Sequence, residues 1–222
     1  MKHWFKENRS LLVFLLCFGF FRLAVADWNP IPSGSMRPTL LEGDVVLVDR
    51  LAYDLKIPLT DIAVLELGTP QRGDVVVFRS PHDGMRLIKR LVALPGDIVE
   101  MREEVLFLNG EPADYVDAVQ VREPVADDIS LPALRLTERS AGSARQVQFL
   151  PDVRALRSFG PLIVPADSYF FLGDNRDNSG DSRYFGSVPR HLLSGRAHHI
   201  LASADIKGNW LPRLERFGEP LR

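Results

Sequence analysis

Two patterns of apolar and polar residues divide the chain. Residues 10–26 form a single apolar run that is interrupted inside only by Arg22. From Asp44 onward, apolar residues occur in short runs rich in Val, Leu, Ile and Phe, separated by Gly-Asp, Pro-Gly-Asp and Asn-Gly turn signals. Runs of this length and spacing predict a mainly β fold built from antiparallel strands. Residues 187–194, with a proline near the start and a glycine after the end, predict a short helix.

The first apolar run predicts one N-terminal transmembrane helix. Residues 10–26 would form a helix about 25 Å long, slightly shorter than the roughly 30 Å hydrocarbon core of a bilayer. Three basic residues precede the run, so the positive-inside rule keeps residues 1–9 in the cytoplasm and exports the rest. A cleaved secretory signal is the alternative, because residues 24–26 have the small-x-small form of a cleavage site. Arg22 argues against cleavage, and both interpretations export the remaining chain.

The exported part predicts one β core with an insertion. Residues 101–160 are more polar than their surroundings, contain several prolines and arginines, and carry no sharp motif. We therefore expect a small β-rich inserted region over 101–160. The β core is then built from residues 27–100 and 161–222.

Composition argues against several classes of function. The 222-residue chain has 27 basic and 29 acidic residues and a formal charge of −2, which provides no cationic face for nucleic acid. Cys17 is the only cysteine, so neither an intrachain disulfide nor a cysteine-based zinc site is expected. The histidines form no HExxH motif, and we predict no metal or other cofactor.

A loop that contains two serines is the first candidate for chemistry. Ser33-Gly34-Ser35 follows the apolar run in a segment punctuated by proline and glycine. The ordinary interpretation of such a segment is a turn. Its position would hold a hydroxyl beside the bilayer surface, and Gly34 would let backbone N–H groups approach a substrate carbonyl, as an oxyanion hole requires.

Lys89 is the second candidate. Strand alternation places Lys89 on one face with Met and Leu side chains, whereas Arg86 and Arg90 fall on the other face, which we expect to be solvated. Desolvation of a lysine lowers its pKa, so that it can act as a base near neutral pH. The alternative is a lysine that reaches past the edge of the sheet into water.

The third candidate is the segment GDNRDNSGDSR at residues 173–183. Ser179 would offer a hydroxyl to a neutral amine, while Asp181 and Arg183 would form an ion pair beneath the site. A calcium loop is the alternative interpretation. It fails at its twelfth position, because Gly186 cannot supply the bidentate carboxylate that an EF-hand needs.

A serine nucleophile needs a base, and the histidines do not supply one. His198 and His199 are adjacent, so on a strand they would point to opposite faces, and no Ser-His-Asp arrangement is indicated. Lysine is the documented substitute for histidine in Ser-Lys dyads.

At these residues the sequence resembles the bacterial type I signal peptidases, membrane-bound Ser-Lys endopeptidases that remove signal peptides from exported preproteins. The resemblance covers residues 32–50, 72–78, 88–97 and 173–186 in the family's order. It implies a mainly antiparallel β catalytic core with a variable β-rich insertion. It also implies substrates with an Ala-x-Ala pattern before the cut, held in extended form by strand addition.

The same resemblance implies a role for each candidate residue. Ser35 would be the nucleophile and Lys89 the general base that takes its proton. The Ser33 hydroxyl and the Ser35 N–H would bind the oxyanion. The other implied positions orient the lysine amine or support the site with an ion pair: Ser179, Asp181 and Arg183.

The implied setting is a single-pass protein of the inner (cytoplasmic) membrane, with its catalytic core on the periplasmic or extracytoplasmic side. Its expected partners are preproteins and the lipid bilayer, with no nucleic acid, and we expect a monomer. Three other functions stay open: a dedicated processing protease for a pilin-like or conjugation substrate, a LexA-like self-cleaving regulator, and an inactive membrane-tethered adaptor. The apolar segment and the lack of a helix-turn-helix pattern argue against the regulator.

Overall fold

The computed structural model describes residues 8–57, 60–126 and 129–221. Most of the predicted cytoplasmic segment, residues 1–9, therefore lies outside the described residues. The described residues form two α-helices, α1 (Arg9–Ala24) and α2 (Ser182–Phe185), and sixteen strands. The strands are β1 (Ala26–Pro30), β2 (Asp44–Asp49), β3 (Asp54–Lys56), β4 (Ala63–Glu66), β5 (Val75–Arg79), β6 (Arg86–Ala93), β7 (Ile98–Arg102), β8 (Val105–Leu108), β9 (Glu111–Pro112), β10 (Asp114–Ala126), β11 (Ile129–Ser140), β12 (Ser143–Phe149), β13 (Phe159–Ile163), β14 (Ser168–Leu172), β15 (Val188–Pro189) and β16 (Leu193–Ser203).

The apolar N-terminal run is helical over most of its length. α1 has 16 residues and ends at Ala24, and β1 begins at Ala26, the last residue of the predicted span. Within residues 8–57, 60–126 and 129–221, no helix has both the length and the hydropathy that a membrane crossing requires.

A seven-stranded antiparallel sheet forms the centre of the molecule, in the order β1-β2-β16-β5-β6-β14-β15. β2 alternates buried and half-buried positions, as a strand with one covered face does. In contrast, all five residues of β14 and four of the five in β5 are buried. The middle of the sheet is therefore covered on both faces, and the prediction of a mainly antiparallel β fold is confirmed.

The middle segment forms two further sheets. One has the order β13-β7-β8-β9, and the other the order β10-β11-β12. The predicted region 101–160 is thus β-rich, but its two boundaries fall inside β7 and β13, which pair with each other. A division at the outer ends of these strands, near residues 98 and 163, keeps that pairing intact and is the domain boundary that we propose.

The predicted helix at 187–194 is wrong. Val188 and Pro189 form β15 against β14, Arg190–Leu192 makes one turn of 3-10 helix, and β16 begins at Leu193. Val188 and Leu193 are both buried in the core. Their burial in the sheet outweighs the local proline and glycine signals, since most secondary structure depends on tertiary packing.

Candidate active site

The serine loop connects β1 to β2 and is held by the core. Gly34–Met36 form a turn of 3-10 helix, and Ser33 before it is extended, with φ −134°. Met36 and Leu40 are fully buried in the cluster beneath β2 and β5. These two apolar side chains fix the loop from below, so that the Ser33 and Ser35 side chains remain at the surface of a groove.

Lys89 on β6 meets this loop. Its Nζ lies 2.7 Å from the Ser35 Oγ and 3.1 Å from the Ile88 carbonyl oxygen. The Ser33 and Ser35 hydroxyl oxygens are 3.4 Å apart. The lysine side chain is only 3% exposed. Burial lowers the pKa of Lys89 to about 8, although the nearby Asp181 and Asp174 carboxylates oppose this shift.

Arg90, next to Lys89 on the strand, is not on a solvated face. It is 1% exposed and binds the Asp174 carboxylate with two hydrogen bonds, of 2.8 and 2.7 Å. Arg86, which shares its face, is exposed and donates to Asn29 at 2.8 Å. The prediction of a solvated face is therefore wrong at Arg90, because Asp174 of the 173–183 segment covers that side chain.

The 173–183 segment folds beneath the two candidate residues. The predicted ion pair of Asp181 and Arg183 is present, with Nε of the arginine 2.8 Å from the carboxylate. It arises from a helix cap and not from an extended strand, because Asp181 is the N-cap of α2. The same carboxylate accepts the Gly173 N–H at 3.0 Å. Asp181 thus links both ends of the segment.

Ser179 departs from its predicted hydrogen bond. Its hydroxyl is buried and has no hydrogen-bond partner within the described part of the chain, so a bond to the Lys89 amine is not formed. The hydroxyl lies against Gly173: an added Cβ on that glycine would be 2.2 Å from the Ser179 Oγ and 2.5 Å from the Ser35 carbonyl oxygen. The segment therefore packs directly on the serine loop.

Two functional-site residues escaped the sequence analysis. Asn175 donates from its side-chain Nδ2 to the Gly34 carbonyl at 2.9 Å and from its backbone N–H to the Ser35 carbonyl at 3.1 Å. Asp174 accepts a hydrogen bond from Thr39 at 2.5 Å as well as the pair from Arg90. Both lie inside the motif at 173–183, but only their three-dimensional contacts distinguish them from solvated loop residues.

A groove of about 440 Å³ runs over the two residues and is mostly apolar. Its walls include Met85, Leu87 and Tyr184. β6 pairs with β5 over residues 86–90, but with β14 only at Arg90 and beyond. Within the described chain, the edge of β6 at residues 86–89 has no strand partner, so an extended peptide could add there.

Two further features of the described chain bear on other possible centres. Among the described residues, no group of three or more His, Cys, Asp or Glu side chains is placed to hold a metal ion. A cavity of about 610 Å³ lies in the inserted sheets beside Leu108 and Arg139, and contains neither Ser35 nor Lys89.

A serine hydroxyl in contact with a desolvated amine, on a β scaffold, is the arrangement found in Ser-Lys hydrolases. The sequence model of the family described as signal peptidase, peptidase S26, matches residues 1–202. The chain belongs to this family of peptidases, which confirms the resemblance recognised in the sequence.

Individual relatives agree with the family assignment. The chain is 38% identical over 203 residues to signal peptidase I of Pseudomonas fluorescens, a match that covers 85% of this chain and 69% of the relative. It is 31% identical over 255 residues to signal peptidase I of Buchnera aphidicola subsp. Schizaphis graminum, covering 98% and 82%. Among solved structures, a signal peptidase I from Enterococcus faecalis V583 matches at 33% identity over 58% of this chain and 96% of its own, with a TM-score of 0.34.

Proposed function

We propose that this protein is a membrane-anchored serine endopeptidase that removes N-terminal signal peptides from exported preproteins, cutting after an Ala-x-Ala-like site. The observation that carries the proposal is the 2.7 Å distance between Lys89 Nζ and Ser35 Oγ in a member of the signal peptidase family.

The proposed chemistry begins with a neutral Lys89. Its amine accepts the Ser35 hydroxyl proton as the oxygen attacks the scissile carbonyl. The Ser33 hydroxyl and the Ser35 N–H donate to the oxyanion that forms. The charged lysine then gives its proton to the leaving amine, and water hydrolyses the acyl-enzyme by the same route. No cofactor enters this sequence of steps.

Three supporting residues exclude water from Lys89 and orient its amine. The ion pair of Asp181 and Arg183 closes the floor of the site and binds Gly173. Ser179 contributes a buried hydroxyl within this floor, and in our proposal it turns toward the amine when Lys89 is neutral. A neutral amine has one lone pair, which faces the Ser35 hydroxyl, and two N–H groups, one of which can donate to the Ser179 hydroxyl oxygen.

The groove suits a peptide that binds in extended form. The unpaired edge of β6 at residues 86–89 supplies backbone donors and acceptors, while Leu87 and Met85 supply apolar contacts. We propose that small side chains at the third and first positions before the cut fit this shallow groove. Larger side chains would hold the scissile bond away from Ser35.

The membrane anchor is part of the same proposal. Five apolar side chains of α1 are described as exposed, with Phe14 62% exposed, which fits contact with lipid. We propose that residues 10–26 form a single-pass anchor in the inner membrane, with the β core on the periplasmic or extracytoplasmic side.

Cleavage of a purified preprotein tests this function. Ser35→Ala and Lys89→Ala should each lower kcat by at least about 10³-fold, whereas Ser140→Ala, a serine at the end of β11, should leave it unchanged.

Wild-type kcat/KM should rise with pH through about 8, the pKa of Lys89. Full activity of Ser35→Ala would refute the proposal. Accumulation of one uncut substrate instead of many in depleted cells would favour a dedicated processing protease.

A further inference from the structure

One buried residue holds the peptide unit between Gly34 and Ser35. Asn175 is 1% exposed, and its side-chain Nδ2 donates to the Gly34 carbonyl oxygen at 2.9 Å. Its backbone N–H donates to the Ser35 carbonyl oxygen at 3.1 Å. Only the nitrogen of an asparagine amide can donate to a carbonyl, so this contact determines which way the side-chain amide is turned.

The hydrogen bond to Gly34 also determines the direction of the Ser35 N–H. The Gly34 carbonyl and the Ser35 N–H belong to one trans peptide unit, in which the two groups lie in a plane and point in opposite directions. Because Asn175 binds the Gly34 carbonyl, the Ser35 N–H of the same peptide unit points away from Asn175. No residue in the described part of the chain accepts a hydrogen bond from this N–H, so it is free to meet a substrate.

Asn175 is itself held rigidly enough to act in this way. Its backbone carbonyl accepts the Asn178 N–H at 3.1 Å, and the next residue, Arg176, donates from its N–H to the Gln148 carbonyl at 2.8 Å. The Asn175 Oδ1 is buried and has no hydrogen-bond partner within the described residues. The fold therefore uses the donor nitrogen of this amide while leaving its oxygen unpaired, which carries a desolvation cost.

We infer that Asn175 is a positioning residue that aims the Ser35 N–H at the oxyanion of the substrate. The inference rests on the proposed function, because it assigns the N–H to the oxyanion hole. Asn175 contacts neither the substrate groove nor Lys89 and acts through the Gly34–Ser35 peptide. A donor that matters only as negative charge develops raises kcat and leaves substrate binding unchanged.

Two variants of the full-length protein in detergent test the inference. Asn175→Ala removes the donor, and Asn175→Asp keeps the shape but places a carboxylate oxygen against the Gly34 carbonyl. The matched control is Asn209→Asp, at an exposed residue whose Oδ1 accepts the Leu211 N–H, a bond that a carboxylate retains. The measurements are kcat and KM for a preprotein, the pH profile, thermal unfolding, and inhibition by a peptide aldehyde that ends in Ala-x-Ala.

We expect kcat to fall about 10²-fold in Asn175→Ala and further in Asn175→Asp, with KM within about twofold of wild type. The aldehyde forms a tetrahedral adduct whose oxygen occupies the oxyanion site, so its affinity should fall in parallel with kcat. The rise of the rate through pH of about 8 should persist, since Lys89 is untouched. Asn209→Asp should behave as wild type.

Three results would overturn the inference. These are kcat within about threefold of wild type in both variants, an unchanged aldehyde affinity despite lower kcat, or loss of cooperative unfolding in both variants, since a purely structural role would then be sufficient. Ser35→Ala is assayed in parallel. Cleavage that survives in Ser35→Ala would refute the proposed function itself, whatever the Asn175 variants do.

Discussion

At the scale of single residues, the site depends on one desolvated lysine. Lys89 is almost fully buried, and the carboxylates of Asp181 and Asp174 compensate only part of the cost of charging it. The charged amine therefore destabilises the fold, whereas the neutral amine is well suited to accept a proton near neutral pH. The gap between the ordinary pKa of 10.5 and about 8 corresponds to about 3 kcal/mol.

The stability cost of this lysine can be measured. Lys89→Met should raise the free energy of unfolding by about 2 kcal/mol at pH 6, after about 1 kcal/mol is lost with the Ser35 hydrogen bond. The pKa of Lys89 is lower in the folded protein than in the unfolded chain, so the charged amine destabilises the folded state to its full extent below pH 8. The gain in the free energy of unfolding from Lys89→Met should therefore vanish as pH rises to 10.5. Denaturant titrations at several pH values check this.

The control for that measurement is Leu91→Met, another buried position on β6. Its effect on the free energy of unfolding should not depend on pH, because no charge is removed. A gain for Lys89→Met that is equal at pH 6 and pH 11 would contradict a depressed lysine pKa.

At the scale of elements, the candidate site depends on a contact between two loops. The serine loop and the 173–183 segment touch through Gly173, whose missing side chain makes room for the Ser35 carbonyl. Asn175 adds two hydrogen bonds across the same contact. A shift of about 1 Å at a catalytic group can cost about 10² in rate, so we expect this packing to affect activity as well as stability.

Gly173→Ala tests the contact. Its methyl group would lie 2.5 Å from the Ser35 carbonyl oxygen and 2.2 Å from the Ser179 Oγ, so the serine loop must move. We expect kcat for preprotein cleavage to fall about 10²-fold. Gly180→Ala in the same segment meets no atom within 4 Å and should change kcat less than about threefold, and because Gly180 lines the groove, any effect of its methyl group should appear in KM. Equal activity of the two variants would show that the loops are not in close contact.

At the scale of the whole molecule, the inserted sheets are tied to the site by buried charges. Glu138 on β11 binds Arg176 of the 173–183 segment at 2.5 Å and also Arg145 on β12. Arg37, two residues after Ser35, pairs with Glu123 on β10. The insertion therefore packs against the candidate active site, although none of its described residues lines the groove.

Glu138 makes this support dependent on pH. Burial alone would raise its pKa, but the charges of Arg176 and Arg145 outweigh burial and lower the pKa to about 2. The stabilisation is therefore present above pH 4.5 and is lost as pH falls toward 2. Glu138→Ala should cost about 3–5 kcal/mol at pH 7, because two arginines stay buried without their partner. Chemical denaturation at pH 7 and pH 3 measures both effects.

The exposed Glu111 provides the control for this prediction. Glu111→Gln should leave the free energy of unfolding within about 0.5 kcal/mol of wild type. A small loss for Glu138→Ala, or a loss that stays the same at pH 3, would contradict a buried and charged carboxylate at this position.

The sequence was sufficient wherever a property depends on residue type and local pattern. Period-two alternation and turn residues identified the antiparallel β class, and alternation put Lys89 on an apolar face. The same rule was wrong for Arg90, because alternation assumes that one face is solvated, and here a second segment covers it. The helix at 187–194 failed for a similar reason, since local signals do not include burial in a distant sheet.

What the amino-acid sequence determined by itself is therefore the class of fold, the family and the candidate side chains, because these depend on short-range periodicity and on motifs. The tertiary structure decided which of those side chains meet. The Lys89 Nζ lies 2.7 Å from the Ser35 Oγ, the Ser179 hydroxyl lacks its predicted partner, and Asn175 binds the serine loop at Gly34. Such contacts join positions far apart in the chain, and long-range packing determines them in a way that no local pattern encodes.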